Sequence, residues 1–357
     1  MNAIGTVAAG ENLVVFSAGS ASYTARDVLD AAFFRGELQP VWQELLTLIA
    51  CETKAAEDER DADDAAISAA VQAFRYDKDL ITAEETERWL SARGLSLGDF
   101  SGYFTRHYWR EALGEVDAEE VPLYSAPAEL RELLLAEALL SGVLGQFATR
   151  LSWRVAANGD AEAPPPSERV AQARQEFIER VEPTPVGDWL LSAGRDEDWL
   201  NQLAASEANF RIGSERVLTP QARQRELVAL RLQLTVFEME VIELDSKDAA
   251  REALLCVRDD HMAMEEVARE GRYPFSREQT LLEDIAPDVQ QRFLSASAGD
   301  LMEPMELDGS YRLCRITGKK EPDPEDPSVR GRVDQRLLDR HFNEVASRHI
   351  RWDLLLS

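Results

Sequence analysis

Residues that could do chemistry are sparse in this chain, apart from its many carboxylates. His261 and Glu265 stand four residues apart in a run predicted to be helical, so they could form a metal-ligand pair. A third ligand is not evident at a matching spacing, and we therefore predict no metal and no cofactor. The other histidines, His107, His341 and His349, are predicted to be surface or cap residues. No phosphate-binding glycine loop, zinc-type spacing, ordered serine–histidine–aspartate set or distinct carboxylate pair for acid–base work is present in the sequence.

Composition narrows the classes of protein. The chain has 357 residues, a formal net charge of -27 and 45% hydrophobic residues, and its length predicts two to three domains. An acidic surface repels nucleic acid and anionic membranes, so we expect neither as a partner, although it could steer basic peptides. The sequence contains no run of about 20 apolar residues, so we expect no transmembrane helix. Residues 1–16 lack the basic start and apolar core of a signal peptide, so we expect a cytoplasmic protein. Cys51, Cys256 and Cys314 are widely spaced in apolar contexts and are predicted to be reduced and buried.

The elements that must position any site are clearest in the last third of the chain. Residues 232–244 are rich in β-branched and aromatic side chains and predict a strand, followed by Asp245 and Ser246 as helix N-cap candidates. The pattern that follows predicts helices at 248–257, 262–270 and 282–296, a breaker at 271–276, a turn at 297–305 and a last strand at 310–318.

This order of elements resembles the parvulin family of peptidyl-prolyl isomerases. A helix end of small residues leads to Gly299 and Asp300 and then to Pro304, which is similar to the family pattern A-x-x-L-x-x-G-E followed by S-x-P-V. The final strand begins Ser-Tyr-Arg-Leu at 310–313, where parvulins carry Gly-Tyr-His-Ile. The resemblance implies a parvulin-like domain of β-α-α-α-β order over residues 232–320.

The polar residues of the family are replaced in this chain. Parvulins place one histidine on the first strand and another on the last, and those places are taken by Glu240, to within one residue, and Arg312. Residues 270–284 lack the cysteine or aspartate and the double-glycine turn that parvulins carry after the second helix. By the resemblance, Ile285 and Val289 stand for the pocket methionine and phenylalanine of the family. The predicted apolar grip on a proline also includes Leu281 and Leu294.

These replacements bear on the expected activity. An X-Pro bond isomerises over a barrier of roughly 20 kcal/mol, so a catalyst needs both an apolar grip and hydrogen bonds that favour the twisted amide. The apolar half is retained here, which predicts peptide binding with weak or no isomerase activity. A true isomerase with a rearranged polar set is the alternative. The sequence leaves open whether Glu240 and Arg312 meet as a buried ion pair. Met302 and Met305 flank the pocket-forming turn and are candidates for contact with a client, since methionine adapts to varied peptides.

The rest of the chain is predicted to be helical after a short strand, a glycine turn, a second strand and a helix capped by Thr24. Thr82, with Glu85, and Ser96 are further predicted helix caps. An internal similarity suggests two copies of one helical module, at 38–115 and 130–215. In the first copy, Trp89 and Leu90 precede Gly94 and the pair Asp99-Phe100. The second copy repeats this order with Trp189, Leu190, Gly194 and the pair Asp198-Trp199. Helical bundles before a parvulin domain are typical of SurA-like proteins.

The sequence therefore predicts a mainly α protein with one α+β domain. The expected domains are residues 1–125, residues 126–231, the parvulin-like domain at 232–320, and a C-terminal linker and helix at 321–357. By the SurA-like resemblance, residues 349–356 should pack back on the N-terminal part as a strand beside residues 13–16. The first functional hypothesis is a peptide-binding chaperone or escort for an unfolded or precursor client. The alternatives are an active isomerase that assists client maturation, or an accessory subunit that works with a peptide-modifying enzyme or transporter.

Overall fold

The computed structural model describes residues 10–114, 116–123, 126–181, 186–307 and 309–354. The chain divides into two compact units, one formed by Met1–Glu215 with His341–Ser357 and the other by Arg216–Arg340. The predicted mainly helical fold with one α+β part is confirmed. The division into four domains stays a prediction, as does the duplication of the helical module.

The first unit opens with the predicted strand, turn, strand and helix. Strand β1 (Val14–Ala18) pairs antiparallel with β2 (Ala21–Thr24), and α1 (Ala25–Arg35) follows. The Thr24 side chain caps α1 by accepting a hydrogen bond from the Asp27 amide. The C-terminal strand β7 (Ile350–Trp352) pairs antiparallel with the other edge of β1, which is the pairing predicted for this segment. Residues 1–9 of the N-terminal prediction and residues 355–356 of the C-terminal one lie outside the described residues.

The remaining helices of the first unit follow the predicted caps. Thr82 and Ser96 each form the reciprocal capping box with the acidic residue three positions later. These helices are α2 (Gln39–Glu57), α3 (Asp64–Asp77), α4 (Ala83–Ser91), α5 (Leu97–Leu113), α6 (Ala128–Leu140), α7 (Val143–Gly159), α8 (Ser167–Val181), α9 (Val186–Ala193) and α10 (Glu197–Val217). In the described parts of the chain no single helix is long and apolar enough to cross a membrane; α6 and α7 meet the test together, by length and composition only, across a bend of 87°.

The two stretches compared as repeats share local geometry. Gly94 and Gly194 each follow a helix in the left-handed region, with φ of 68° and 60°. The tryptophan on each preceding helix meets a phenylalanine from the helix before it. The ring centroids lie 5.6 Å apart for Trp89 with Phe74 and 5.1 Å apart for Trp189 with Phe177.

The second unit holds a four-stranded antiparallel sheet with strand order β4-β3-β6-β5. Its elements are α11 (Pro220–Ala229), β3 (Val236–Leu244), α12 (Lys247–Arg258), α13 (Met264–Gly271), β4 (Phe275–Leu281), a 3-10 turn (Leu282–Asp284), α14 (Pro287–Ser295), β5 (Met305–Leu307), β6 (Ser310–Lys320) and α15 (Pro327–His349). The two divisions between the units fall inside α10 and inside α15. Ser246 caps α12, as predicted.

Strand β4 is a correction to the sequence prediction, which has a breaker at 271–276 and a helix at 282–296 with no strand between them. The strand is polar, with the sequence FSREQTL, and Thr280 is its only β-branched residue, so its local signal for a strand is weak. It forms because seven of its residues pair in register with β3, from Phe275 opposite Ile242 to Leu281 opposite Val236. Pairing with a neighbouring strand, rather than local propensity, decides its conformation.

The central strand β3 has two buried faces. Phe237, Met239 and Val241 point to one side and pack with α14, so we call this side the α14 face. Ile242 and Leu244 point to the other side and pack with α12 and α13, so we call it the α12 face. Both faces of the sheet are therefore covered by helices within this unit.

The cysteines depart from expectation at one position. Cys51 and Cys314 are buried free thiols, as predicted, whereas Cys256 is a half-exposed free thiol. Cys256 lies on α12, next to the exposed Leu255 and one turn from the buried Ala253, so it stands at the edge of the buried side of the helix.

Candidate functional site

The candidate site is the apolar cluster on the α14 face of the sheet. Its centre is the contact of Phe237 from β3 with Phe293 from α14, whose rings meet edge to face at 5.4 Å. The buried members are Phe237, Met239, Val241, Leu282, Phe293, Met302, Cys314 and Ile316. A ring of half-buried apolar side chains packs against them: Ile285, Val289, Leu294, Ala296 and Met305.

The turn before β5 is fixed to β6 by backbone hydrogen bonds. The Gly299 amide donates to the Ile316 carbonyl at 2.7 Å, and the Met302 amide donates to the Cys314 carbonyl at 2.8 Å. Gly299 has a φ of 99°, a conformation that L side chains rarely adopt. The backbone conformation therefore explains why a glycine occupies position 299, since it lets the chain turn and bring Met302 into the cluster.

Most of the predicted apolar residues meet in this cluster. Ile285, Val289, Leu294 and Met305 are half-buried at its rim, where a ligand could touch them. Met302 is only 7% exposed, so it is packed inside the cluster rather than available to a client.

Leu281 was wrongly assigned to this group. It pairs with Val236 on the α12 face, and it packs in a separate cluster with α11 and α15. Because side chains alternate along a strand, its neighbour Thr280 points toward the α14 face instead.

The sequence left open whether Glu240 and Arg312 meet, and the register of the sheet shows that they do not. Arg312 stands opposite Glu243 in the register of β3 and β6, whereas Glu240 stands opposite Arg315. Glu240 and Glu243 differ by three positions, so their side chains point to opposite faces of the sheet. Glu240 instead accepts hydrogen bonds from Arg277 at 3.4 Å on the α12 face.

Arg312 is the polar centre at one end of the α14 face. Its Nη2 donates to a Glu243 carboxylate oxygen at 2.6 Å, and its Nη1 lies 3.8 Å from Glu278. The Ser276 hydroxyl donates to the other Glu278 oxygen at 2.5 Å. Glu278 and Ser276 were missed because they lie on β4, the strand that the sequence did not predict. Glu243 lies three positions from Glu240, outside the stated uncertainty of one residue, and only the register of β3 against β6 identifies it as the partner of Arg312.

The polar end is partly open to solvent. The side chains of Arg312 and Glu243 are 33% and 43% exposed, so their ion pair is not the buried pair that the sequence left open. A guanidinium at this position keeps N–H groups that could donate to a peptide carbonyl. The α14 face therefore joins an apolar surface to a hydrogen-bonding group at its edge.

The Cys314 thiol lies inside the apolar part of the site. Burial raises its pKa from 9.0 to about 12, with Glu278 adding to the rise and Arg312 opposing it. The thiol is therefore protonated at neutral pH and acts as an apolar side chain, because only the thiolate is a strong nucleophile.

The possible metal-ligand pair of His261 and Glu265 does not form in the structure. His261 precedes α13 in a turn with φ of 57°, so it does not share a helix with Glu265 as predicted. Glu265 lies near Arg277, at 3.2 Å. Within the described residues no three histidine, cysteine or acidic side chains come together in a way that could hold a metal ion.

Comparison with known proteins gives structural likenesses alone. No protein-family model and no curated protein matches this chain. Among solved structures it is similar to the peptidylprolyl isomerase PrsA from Bacillus cereus, with 14% identity, 58% of this chain and 83% of that chain covered, and a TM-score of 0.36. It is similar to the foldase protein PrsA from Streptococcus pneumoniae, with 11% identity, 65% and 92% coverage and a TM-score of 0.29. A SurA-like chaperone of Campylobacter jejuni matches with 9% identity, 60% and 86% coverage and a TM-score of 0.19.

Proposed function

We propose that the second unit binds an extended segment of an unfolded or precursor polypeptide on the α14 face. The protein would act as a parvulin-like chaperone or escort with weak or no prolyl isomerase activity. The observation that carries this proposal is the half-buried apolar rim of Ile285, Val289, Leu294 and Met305, which borders Arg312 at the end of the same face.

The apolar rim supports binding. Its side chains come from the turn before α14, from α14 itself and from β5, so they surround the rigid core made by Phe237 and Phe293. Half-buried apolar atoms on a packed support lose little conformational entropy when a ligand covers them. A proline ring or another apolar side chain of a client could therefore be held here by burial alone.

The residues at the polar end support the expectation that isomerase activity is weak or absent. Arg312 stands where the parvulin resemblance places the histidine of the last strand, and two carboxylates, Glu243 and Glu278, lie within ion-pair distance of it. Val241 on β3 stands opposite Cys314 on β6, so the apolar part of the α14 face continues from one strand to the other. A surface of this kind stabilises a bound peptide without distinguishing the twisted amide from the planar one, and only that difference would accelerate the reaction.

The net charge supports a preference among clients. A chain with a formal net charge of -27 attracts basic segments and repels acidic ones at moderate ionic strength. We therefore expect neutral or basic clients with exposed apolar residues.

The test is two-dimensional NMR exchange spectroscopy on a labelled proline-containing peptide, with and without the full chain. We expect shifted peptide resonances and no accelerated cis–trans exchange at catalytic amounts of protein. Ile285→Glu should remove the shifts, because it places a charge in the apolar rim. The matched control is Val228→Glu, an exposed apolar residue of α11 that lies outside the cluster, and it should retain them.

Two outcomes would overturn the proposal. Strong exchange peaks with catalytic amounts of protein would identify an active isomerase. Peptide shifts that survive Ile285→Glu would place binding elsewhere on the chain.

A further inference from the structure

A second groove lies on the other side of the sheet, between α12 and α13. It encloses about 260 Å³. Its lining residues are Ala249, Glu252, Ala253, Cys256, Met262, Val267, Glu270, Gly271 and Tyr273. The two helices pack their buried sides on Ile242 and Leu244 of the α12 face, so this groove is distinct from the candidate site on the α14 face.

The shape of the groove follows from small residues. Ala249 and Ala253 on α12 provide a floor without long side chains. The Tyr273 ring forms a wall that lies directly on Gly271, where an added Cβ would fall 2.3 Å from the ring. Pockets for cofactors and drug-sized ligands enclose roughly 300–1,000 Å³, so a groove somewhat smaller than this range is suited to one large side chain.

The charged residues that line the groove have one sign. Glu252 and Glu270 both line it and are exposed, and neither forms an ion pair with another described residue. The lining residues include no lysine or arginine. Two carboxylates beside an apolar floor of Ala253, Met262 and Val267 complement a ligand that is apolar at its centre and cationic at its ends.

We propose that this groove binds an extended peptide segment in which one large apolar side chain is flanked by lysine or arginine. The apolar side chain enters between α12 and α13, and the flanking cations approach Glu252 and Glu270. The groove would give the protein a second contact with a polypeptide, and this contact does not depend on the α14 face.

The native thiols offer a direct readout. Cys256 lines the groove and is half-exposed, whereas Cys51 and Cys314 are buried. A peptide seated in the groove should therefore slow the alkylation of Cys256 by iodoacetamide, followed by mass spectrometry of the full chain. With acetyl-Lys-Lys-Phe-Lys-Lys-amide at ten times its dissociation constant, the rate should fall about tenfold by mass action.

The controls separate the groove from general charge attraction. A peptide with glutamate in place of lysine, and one with alanine in place of phenylalanine, should leave the rate unchanged. Glu270→Lys should abolish the protection. The matched variant Glu266→Lys reverses a charge on the same helix at a position that does not line the groove, so it should retain most of it.

Two results would overturn this inference: equal alkylation rates with and without the basic peptide, or equal loss of protection in the two lysine variants. The inference and the proposed function fail independently. Ile285→Glu should leave the protection of Cys256 intact even if it removes binding to the α14 face.

Discussion

Replacing Phe293 with alanine should destabilise the second unit by about 3–5 kcal/mol, the usual cost of truncating a buried phenylalanine. Phe293 is 2% exposed and joins α14 to the sheet. Its ring meets Phe237 edge to face, with an interplanar angle of 89°. This contact contributes about 0.5–1.5 kcal/mol beyond the buried area, and the remainder comes from lost burial and from the cavity left behind.

The assay must report on the correct unit. All seven tryptophans lie outside residues 216–340, so tryptophan fluorescence follows the first unit. Cys314 belongs to the same buried cluster as Phe293, and its alkylation under native conditions requires an opening of that cluster. With rapid reclosing, a loss of 3–5 kcal/mol raises the alkylation rate of Cys314 by about 10²–10⁴-fold, up to the limit set by the stability of the unit.

The control is Leu255→Ala, which truncates a side chain that is 41% exposed in the same unit. It should change the Cys314 rate little, because surface substitutions cost within about 0.5 kcal/mol. A Phe293→Ala variant whose Cys314 rate matches that of Leu255→Ala would refute the packing described for the α14 face.

Three further predictions concern charged and titrating groups. Arg312→Ala should cost no more than about 1 kcal/mol in urea unfolding followed by far-ultraviolet circular dichroism, because its partners are partly exposed; a loss of several kcal/mol would contradict that exposure. Glu207→Gln should cost about 3–5 kcal/mol in urea unfolding followed by tryptophan fluorescence, since it removes the negative charge that lies 2.6 Å from the buried Arg154, whereas Glu215→Gln in an exposed pair should be nearly neutral. The raised pKa of Cys314 means that the folded state holds a proton that the unfolded state releases, so stability should be lost as pH rises from 9 to about 12, by roughly 4 kcal/mol in total. Cys314→Ala should show a flatter pH profile in this window, and equal profiles would contradict the assignment.

The sequence determined the parts of this protein that depend on neighbours along the chain. Thr24, Thr82, Ser96 and Ser246 were recognisable as helix caps because a cap involves residues within three positions of one another. The strand that became β3 was recognisable from its own β-branched and aromatic residues. The rim residues Ile285 and Val289 of the candidate site were found through the family resemblance, which places pocket side chains at these positions.

The tertiary structure decided which of these residues meet. The sequence left open whether Glu240 and Arg312 meet, because the register between two strands is set only when they pair. In the sheet Glu240 stands opposite Arg315, and its side chain points to the other face from that of Arg312. The partner of Arg312 is Glu243, which lies 69 residues away along the chain, and Glu278 comes from a strand with a weak local signal. The half-exposed position of Cys256 likewise depends on how α12 packs against α13. Pairing and packing between distant segments are properties of the folded chain, and they set the polar end of the site that the local sequence left open.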